Sequence, residues 1–354
     1  KAPKTASSPF SGLLRLGFGQ GRSAVAPLAM TGERVAIGRD RRAFRDMVQV
    51  GVDFGGTKIE AAVLAPDGEF LARGRTPTPD SYDQSIRDVC ALIERAEGQA
   101  GARGTIGVGL PGSVNPRDGR MRNANATFLN GRTFREDLQA ALGRPVRVAN
   151  DANCLALSEV VDGAAQAARC AFAVIIGTGL GGGLVVDGAI VEGGGGLAGE
   201  WGHVPLPWMG EDEYPGPACW CGRTGCLEAL ISGTGFQADY RRRSGVAMAG
   251  ADIVVAARSG ERIATATLDV FIDRLARAFA MVANIADPDI FVLGGGMSNV
   301  TEIYDRVPAL IPAYVFGGDW DGQIVPARWG DSSGVRGAAR LWTAEEARAA
   351  AAAD

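Results

Sequence analysis

From residue 48 onward, apolar positions fall into short blocks whose spacing predicts alternating strands and helices. Residues 48–54, 58–65 and 70–75 read as three strands, the last two joined by a Pro-Asp-Gly-Glu turn at 66–69. A helical pattern over 81–100 precedes a strand at 105–110, a helix at 133–142, a strand at 145–149 and a helix at 152–162. Strands at 171–176, 183–186 and 189–192 follow. Ala264, Leu268, Phe271, Leu275, Phe279, Val282 and Ile285 then sit at helical spacing within 263–285. A short buried strand at 289–293 runs into Gly294, Gly295 and Gly296, and the Ala- and Arg-rich tail over 335–353 predicts a last helix.

The pattern repeats weakly. A strand, a glycine turn, a second strand and a Pro-Asp-Gly turn at the start of the regular region return near residue 177 with a Val-Asp-Gly turn. Two related α/β domains are expected, the glycine turn of each facing a shared cleft.

Composition narrows the chemistry. Glycine supplies 51 of 354 residues, in clusters without a three-residue period, which excludes collagen and points to tight backbone turns. His203 is the only histidine, so a two-histidine metal mechanism is excluded. Lys58 is the only lysine after residue 4. Three of the six cysteines crowd into residues 219–226, which suggests a metal rather than a disulfide scaffold. Residues 1–46 carry nine Lys/Arg against three Asp/Glu, whereas the remainder is acidic, 27 against 37. A basic face for nucleic acid is therefore not expected on the folded body. No apolar run reaches the roughly 18 residues of a membrane span, and a cytoplasmic location is expected. Residues 1–46 read as a disordered leader, or as sequence upstream of a start at Met47. An organelle transit segment is the alternative.

Four motifs carry chemistry. Residues 53–58, Asp-Phe-Gly-Gly-Thr-Lys, end a strand in a turn whose N–H groups can cradle phosphate, with Asp53 able to hold Mg²⁺; an ordinary hairpin is the plain alternative. The segment is not a Walker A loop. Residues 177–183, Gly-Thr-Gly-Leu-Gly-Gly-Gly, are a second candidate phosphate turn, and a strand after them rules out the dinucleotide fingerprint. Asp151, at the sheet edge where α/β clefts lie, reads either as a helix N-cap or as a base for a substrate hydroxyl. His203, Cys219, Cys221 and Cys226 supply the four N/S donors of a closed structural zinc site. Glu200 and Glu228 flank that site, and a braced loop can aim both at a polyhydroxylated ligand.

In this order, the motifs resemble the ROK family (repressors, open reading frames and sugar kinases) over about residues 48–342. The resemblance implies an α/β, two-domain, ribonuclease-H-like (actin-like ATPase) fold with a zinc-braced loop. Its divisions would be a smaller domain over 48–155, completed by a C-terminal helix at 335–350, and a larger one over 156–334 with the zinc loop at 200–228. It implies ATP, Mg²⁺ and a structural Zn²⁺. Asp151 would be the base, with Asp53 near the magnesium. Gly55, Gly56, Thr57, Lys58, Gly177, Thr178 and Gly179 would face the phosphates, and Gly294 and Gly295 the adenosine. Gly112, Asn125, Asn150, Asp151, Glu200, His203 and Glu228 would contact sugar. The residues around 198–209 and 230–236 look like the bacterial fructokinase (manno/fructokinase) branch, so fructose is the expected substrate, with glucose or N-acetylglucosamine as alternatives. A homodimer is expected. A sugar-responsive repressor is the reading from another class, disfavoured because residues 1–46 are too short and too rich in Gly and Pro for a helix-turn-helix.

Overall fold

A computed structural model describes residues 47–351; the leader reading at 1–46 lies outside the described residues. β1 (Gln49–Phe54), β2 (Lys58–Leu64) and β3 (Phe70–Pro77) form an antiparallel meander. Ser81 caps α1 (Tyr82–Ala100) by accepting from the Gln84 N–H, and the helix lays Val89, Leu92, Ile93 and Ala96 into the core. β4 (Thr105–Leu110) pairs parallel to β1. A small ribbon of β5 (Ser113–Val114) and β6 (Met121–Arg122) and then α2 (Phe134–Leu142) lead to β7 (Val146–Asn150), parallel to β4. The sheet order is β3-β2-β1-β4-β7.

α3 (Asp151–Asp162) starts directly from β7. A second meander of β8 (Cys170–Ile176), β9 (Leu180–Val186) and β10 (Ala189–Ile190) follows. After the loop at 191–226 come α4 (Leu227–Ile231), α5 (Gly233–Ser244), α6 (Gly250–Arg258) and α7 (Arg262–Ala286). β11 (Ile290–Gly294), α8 (Glu302–Leu310) and β12 (Gln323–Pro326) complete this half. Its sheet runs β10-β9-β8-β11-β12, with β11 and β12 parallel to β8. Each sheet is thus a meander extended by two parallel strands on the side of its first strand, so the weak repeat in the sequence corresponds to one topology used twice. The second core is aromatic: Phe279 stacks on Phe291 at 4.5 Å and Trp201 meets Phe172 edge-on.

α9 (Ser333–Ala339) lies on β1, β2 and β4, α3 lies on β8 and β9, and the two helices pack against each other. Glycine makes this approach possible. A Cβ at Gly51 would sit 1.9 Å from the Val335 carbonyl oxygen, one at Gly107 1.8 Å from that of Ala338, and one at Gly337 1.7 Å from that of Cys154.

Four expectations change. The predicted tail helix is two helices, α9 and α10 (Ala344–Ala351), because Trp342 turns inward to donate to the Ile106 carbonyl at 2.8 Å and Thr343 and Glu346 form a capping box. β9 begins at Leu180 rather than 183, so Gly181, Gly182 and Gly183 are strand residues facing α3 and the Trp201 segment. A Cβ at Gly183 would lie 2.4 Å from the Ala152 carbonyl oxygen, and these glycines serve packing rather than an anion cradle. Ile285 is 80% exposed, since the last turn of α7 runs past the core. Asn150, not Asp151, is the N-cap of α3: its side chain accepts from the Ala152 N–H.

Candidate active site

The parallel register of β1, β4 and β7 brings Asp53, Gly112 and Asn150–Asp151 to one sheet edge. Gly112 holds φ +78°, and a Cβ there would lie 2.4 Å from the Arg122 carbonyl oxygen. Its own carbonyl accepts from Asn150 Nδ2 at 3.0 Å. Asn150 takes the cap, and the Asp151 carboxylate accepts from the Ala152 N–H at 2.8 Å, with its own N–H and the Asn150 side chain also holding it. Burial pushes Asp151 up to about 6 against the pull of that N–H, and the Glu200 charge pushes further. Asp53 is also raised to about 6, by burial, then by Asp151 and Glu60, while Lys58 pulls it down. A buried carboxylate raised by its acidic neighbours, as Asp53 is, suits a divalent cation.

A cavity of about 150 Å³ opens beside this edge, with Gly112, Asn150, Asn153, Gly182 and Glu200 in its wall. Burial raises Glu200, with Glu228 adding to it and His203 and Arg122 opposing. Gly112, Asn150 and Glu200 therefore share one cavity. Asp151, Asn125, His203 and Glu228 are not in its wall. Asn125 is exposed, and Glu228 accepts from the Leu180 N–H at 3.0 Å and from Trp220 Nε1.

A second cavity, about 590 Å³, lies at the C-terminal edge of the second sheet, lined by Gly177, Thr178, Gln237, Val254, Gly296 and Asn299. Its mixture of apolar and amide groups suits a nucleoside. Gly294 and Gly295 lie just behind it. Gly295, at φ +80°, lets the end of β11 pass close to β8, where a Cβ would lie 2.6 Å from the Ile176 carbonyl oxygen. By contrast, a Cβ at Gly56, Gly177 or Gly296 would meet nothing within 4 Å, so no neighbour within the protein requires glycine at these three turns. A ligand approaching the backbone would. Thr57 and Lys58 are exposed beside Gly56, and a Cβ at Gly179 would lie 2.7 Å from Glu228 Oε2.

The metal-ligand reading is geometrically consistent. His203, Cys219, Cys221 and Cys226 place their donor atoms within 4.8 Å of one another. Cys219 Sγ lies 3.6 Å from His203 Nδ1 and Cys221 Sγ lies 3.6 Å from Cys226 Sγ. Tetrahedral zinc with Zn–S of about 2.3 Å and Zn–N of about 2.0 Å separates its donors by about 3.5–3.8 Å. The four residues fit such an ion, and with Nδ1 as donor, Nε2 of His203 is left for another partner. The loop is also tied down by charge. Glu213 bonds Arg274 and Arg277 of α7, and Arg274 bonds Asp239 of α5 at 2.9 Å, all with buried side chains.

Sequence reasoning did not assign Asn153, although it lies in the motif that gave Asn150 and Asp151. It also left out Gln237 and Asn299, which carry no local motif and reach the second cavity only through the fold, and Thr234, which lies in the 230–236 segment read only for its branch.

The fold is that of one family. The ROK family model matches residues 49–345, and the chain belongs to the ROK family, with its mixed α/β, actin-like ATPase fold. An N-acetyl-D-glucosamine kinase of Vibrio parahaemolyticus is 39% identical over 297 residues, covering 82% of this chain and 98% of its own. That of Pectobacterium atrosepticum is 40% identical over 82% of this chain and 97% of its own. Among solved structures, the ROK hexokinase of Thermus thermophilus superposes with a TM-score of 0.74 at 32% identity, covering 83% of this chain and 97% of its own. A ROK glucokinase of Streptomyces griseus, solved with glucose and AMPPNP, gives 0.69 at 28% identity, over 83% and 98%. The expected fructokinase branch is not the one these relatives represent: the curated relatives are N-acetylglucosamine kinases. The Trp- and Pro-rich segments that suggested fructose lie in and beside the loop of the His203, Cys219, Cys221 and Cys226 cluster. Among the described residues, no helix is long and apolar enough to cross a membrane.

Proposed function

We propose that this chain is an ATP-dependent hexose kinase whose substrate is N-acetylglucosamine, phosphorylated on its terminal hydroxyl. The observation that carries the kinase reading is Asp151. It is a buried carboxylate raised to about 6, next in sequence to Asn150 of the small polar cavity, in a chain whose Gly56, Gly177 and Gly296 turns no protein neighbour crowds. The choice of sugar rests on the relatives at 39–40% identity over 82% of the chain.

Asp151 accepts the proton of the attacking hydroxyl as that oxygen bonds the γ-phosphorus and the bond to the ADP oxygen breaks. Gly55, Gly56, Thr57 and Lys58, with Gly177, Thr178 and Gly179, face the phosphates, and Gly294 and Gly295 shape the adenosine side. Asp53 would hold Mg²⁺, which when bound offsets phosphate charge. Gly112, Asn125, Asn150, Glu200, His203 and Glu228 orient the sugar. His203, Cys219, Cys221 and Cys226 would hold a structural zinc that fixes the loop carrying Glu200 and Glu228.

The test is ADP release with N-acetylglucosamine, glucose, mannose and fructose, each with Mg²⁺ and ATP. The expected kcat/KM is highest for N-acetylglucosamine. No turnover on any of the four overturns the kinase reading, and a clear preference for fructose overturns the choice of sugar.

A further inference from the structure

Few buried side-chain polar atoms lack a partner among the described residues, and Asn153 Oδ1 is the one that belongs to the cavity shared by Asn150 and Glu200. Asn153 is only 7% exposed. Turning its amide over would exchange the oxygen for an NH₂ group with the same need. A buried amide left unpaired weighs against the folded state, so its presence calls for a cause.

The surroundings explain why no protein group supplies the bond. Asn153 sits three residues after Asn150, on the same face of the first turn of α3. Facing it, β9 offers Gly181 and Gly182, both in the cavity wall. Gly181, on the side of β9 that faces α3, carries no side chain to reach Asn153, and Gly182 points the other way, where a Cβ would lie 2.6 Å from Trp201 Cδ1. Leu110, Val148 and Ala198, also in the wall, have no side-chain polar atom to offer, Glu192 and Glu200 are acceptors, and the donors Asn150 and Arg135 bond Gly112 and Glu136 instead. The amide is held in place by packing and left for something that arrives.

We infer that Asn153 is a further sugar-binding residue, whose amide hydrogen-bonds a polar substituent of the hexose ring beside Asn150 and Glu200. The inference rests on the sugar-kinase reading. It separates two tasks on one helical turn: Asp151 takes the proton, and Asn153 holds the ring.

The test uses Asn153→Leu, close in volume and without polar atoms, and Asn153→Ala as a second variant. For each, KM and kcat are measured for sugar and ATP, with melting temperatures in the absence and presence of sugar. For Asn153→Leu the sugar KM is expected to rise roughly tenfold. The ATP KM should stay within about twofold and kcat within about threefold, and the stabilisation by sugar should shrink. Without sugar, the melting temperature should equal or exceed that of the wild type, because the unpaired amide is gone. If the leucine variant does not fold, Asn153→Ala must show the same rise in sugar KM. An unchanged sugar KM and an unchanged stabilisation by sugar overturn the inference, whether or not the unliganded protein melts lower. Wild-type protein that binds none of the four hexoses overturns the kinase reading itself, and this inference with it.

Discussion

At the residue scale, burial governs the titration of Asp151. The folded value of Asp151, about 6, stands above its ordinary value of 3.8. Its protonated form is therefore favoured by folding. That contribution is complete below pH 3.8 and is lost as pH rises through about 6. Asp151→Asn should accordingly melt several degrees higher than wild type at pH 8, with the difference gone at pH 4, while kcat falls about 10²–10⁴-fold. Thermal unfolding at the two pH values and turnover at pH 8 check this. A variant that keeps near-normal turnover removes Asp151 as the base. In the wild type, kcat/KM should fall below about pH 6 as Asp151, facing Asp53 on β1 and the Glu200 loop, gains its proton. Asp151 was legible in the sequence as one of two things, a cap or a base. The structure gives the cap to Asn150, and the role of base is proposed for Asp151. Asn153 was not legible: an asparagine in a helix is common, and its significance lies in lacking a partner, a property of the packed state.

At the element scale, the loop over 200–228 is built from pieces with little regular structure and held by two devices. One, in the proposed reading, is a zinc ion on three thiols and an imidazole, which cluster in the sequence and whose donor atoms lie within 4.8 Å of one another. One zinc per chain is expected by metal analysis. Cys221→Ser or chelation should release it and raise the sugar KM with little change in the ATP KM. Unchanged metal content in Cys221→Ser contradicts the ligand assignment. The other device, Glu213 with Arg274, Arg277 and Asp239, was invisible in the sequence, where its members are scattered charges on a loop and two helices. Burial alone would raise Glu213, but hydrogen bonds from Arg277 and Arg274 bring it down to about 2. Its contribution is present above the ordinary value of 4.5 and is lost as pH falls toward 2. Glu213→Ala removes one carboxylate from a network in which Arg274 keeps Asp239 and Arg277 keeps Asp273, and should cost about 1.5–3 kcal/mol by urea unfolding at pH 7. A cost below about 1 kcal/mol would mean that the pair is dispensable. The helix and strand boundaries were largely readable because amphipathic spacing and caps are local. The tail helix was misread as continuous because alanine favours helix at every position, while the break is imposed by Trp342 reaching β4 and by the Thr343–Glu346 box.

At the scale of the whole molecule, one topology is used twice, and the two copies meet through α3 and α9. The repeat showed in the sequence only at the glycine turns, because the remaining strands need only be apolar. The contact between copies was hidden, since Gly51, Gly107 and Gly337 lie far apart in the chain and none sits in a turn. Gly337→Ala would drive a methyl group into the Cys154 backbone and should cost about 1–3 kcal/mol or more, read as a shift in the urea midpoint. A midpoint equal to wild type would show that the helices can part at no cost. The position of α9 also sets an order of events during synthesis. The face of the first sheet that α9 covers is complete in sequence at Asn150, but its cover begins at Ser333. At about 5–20 residues per second, the growing chain carries that apolar face uncovered for roughly 10–40 s. The first half of this protein is made early and finished last, and in that interval it is open to chaperones and to aggregation.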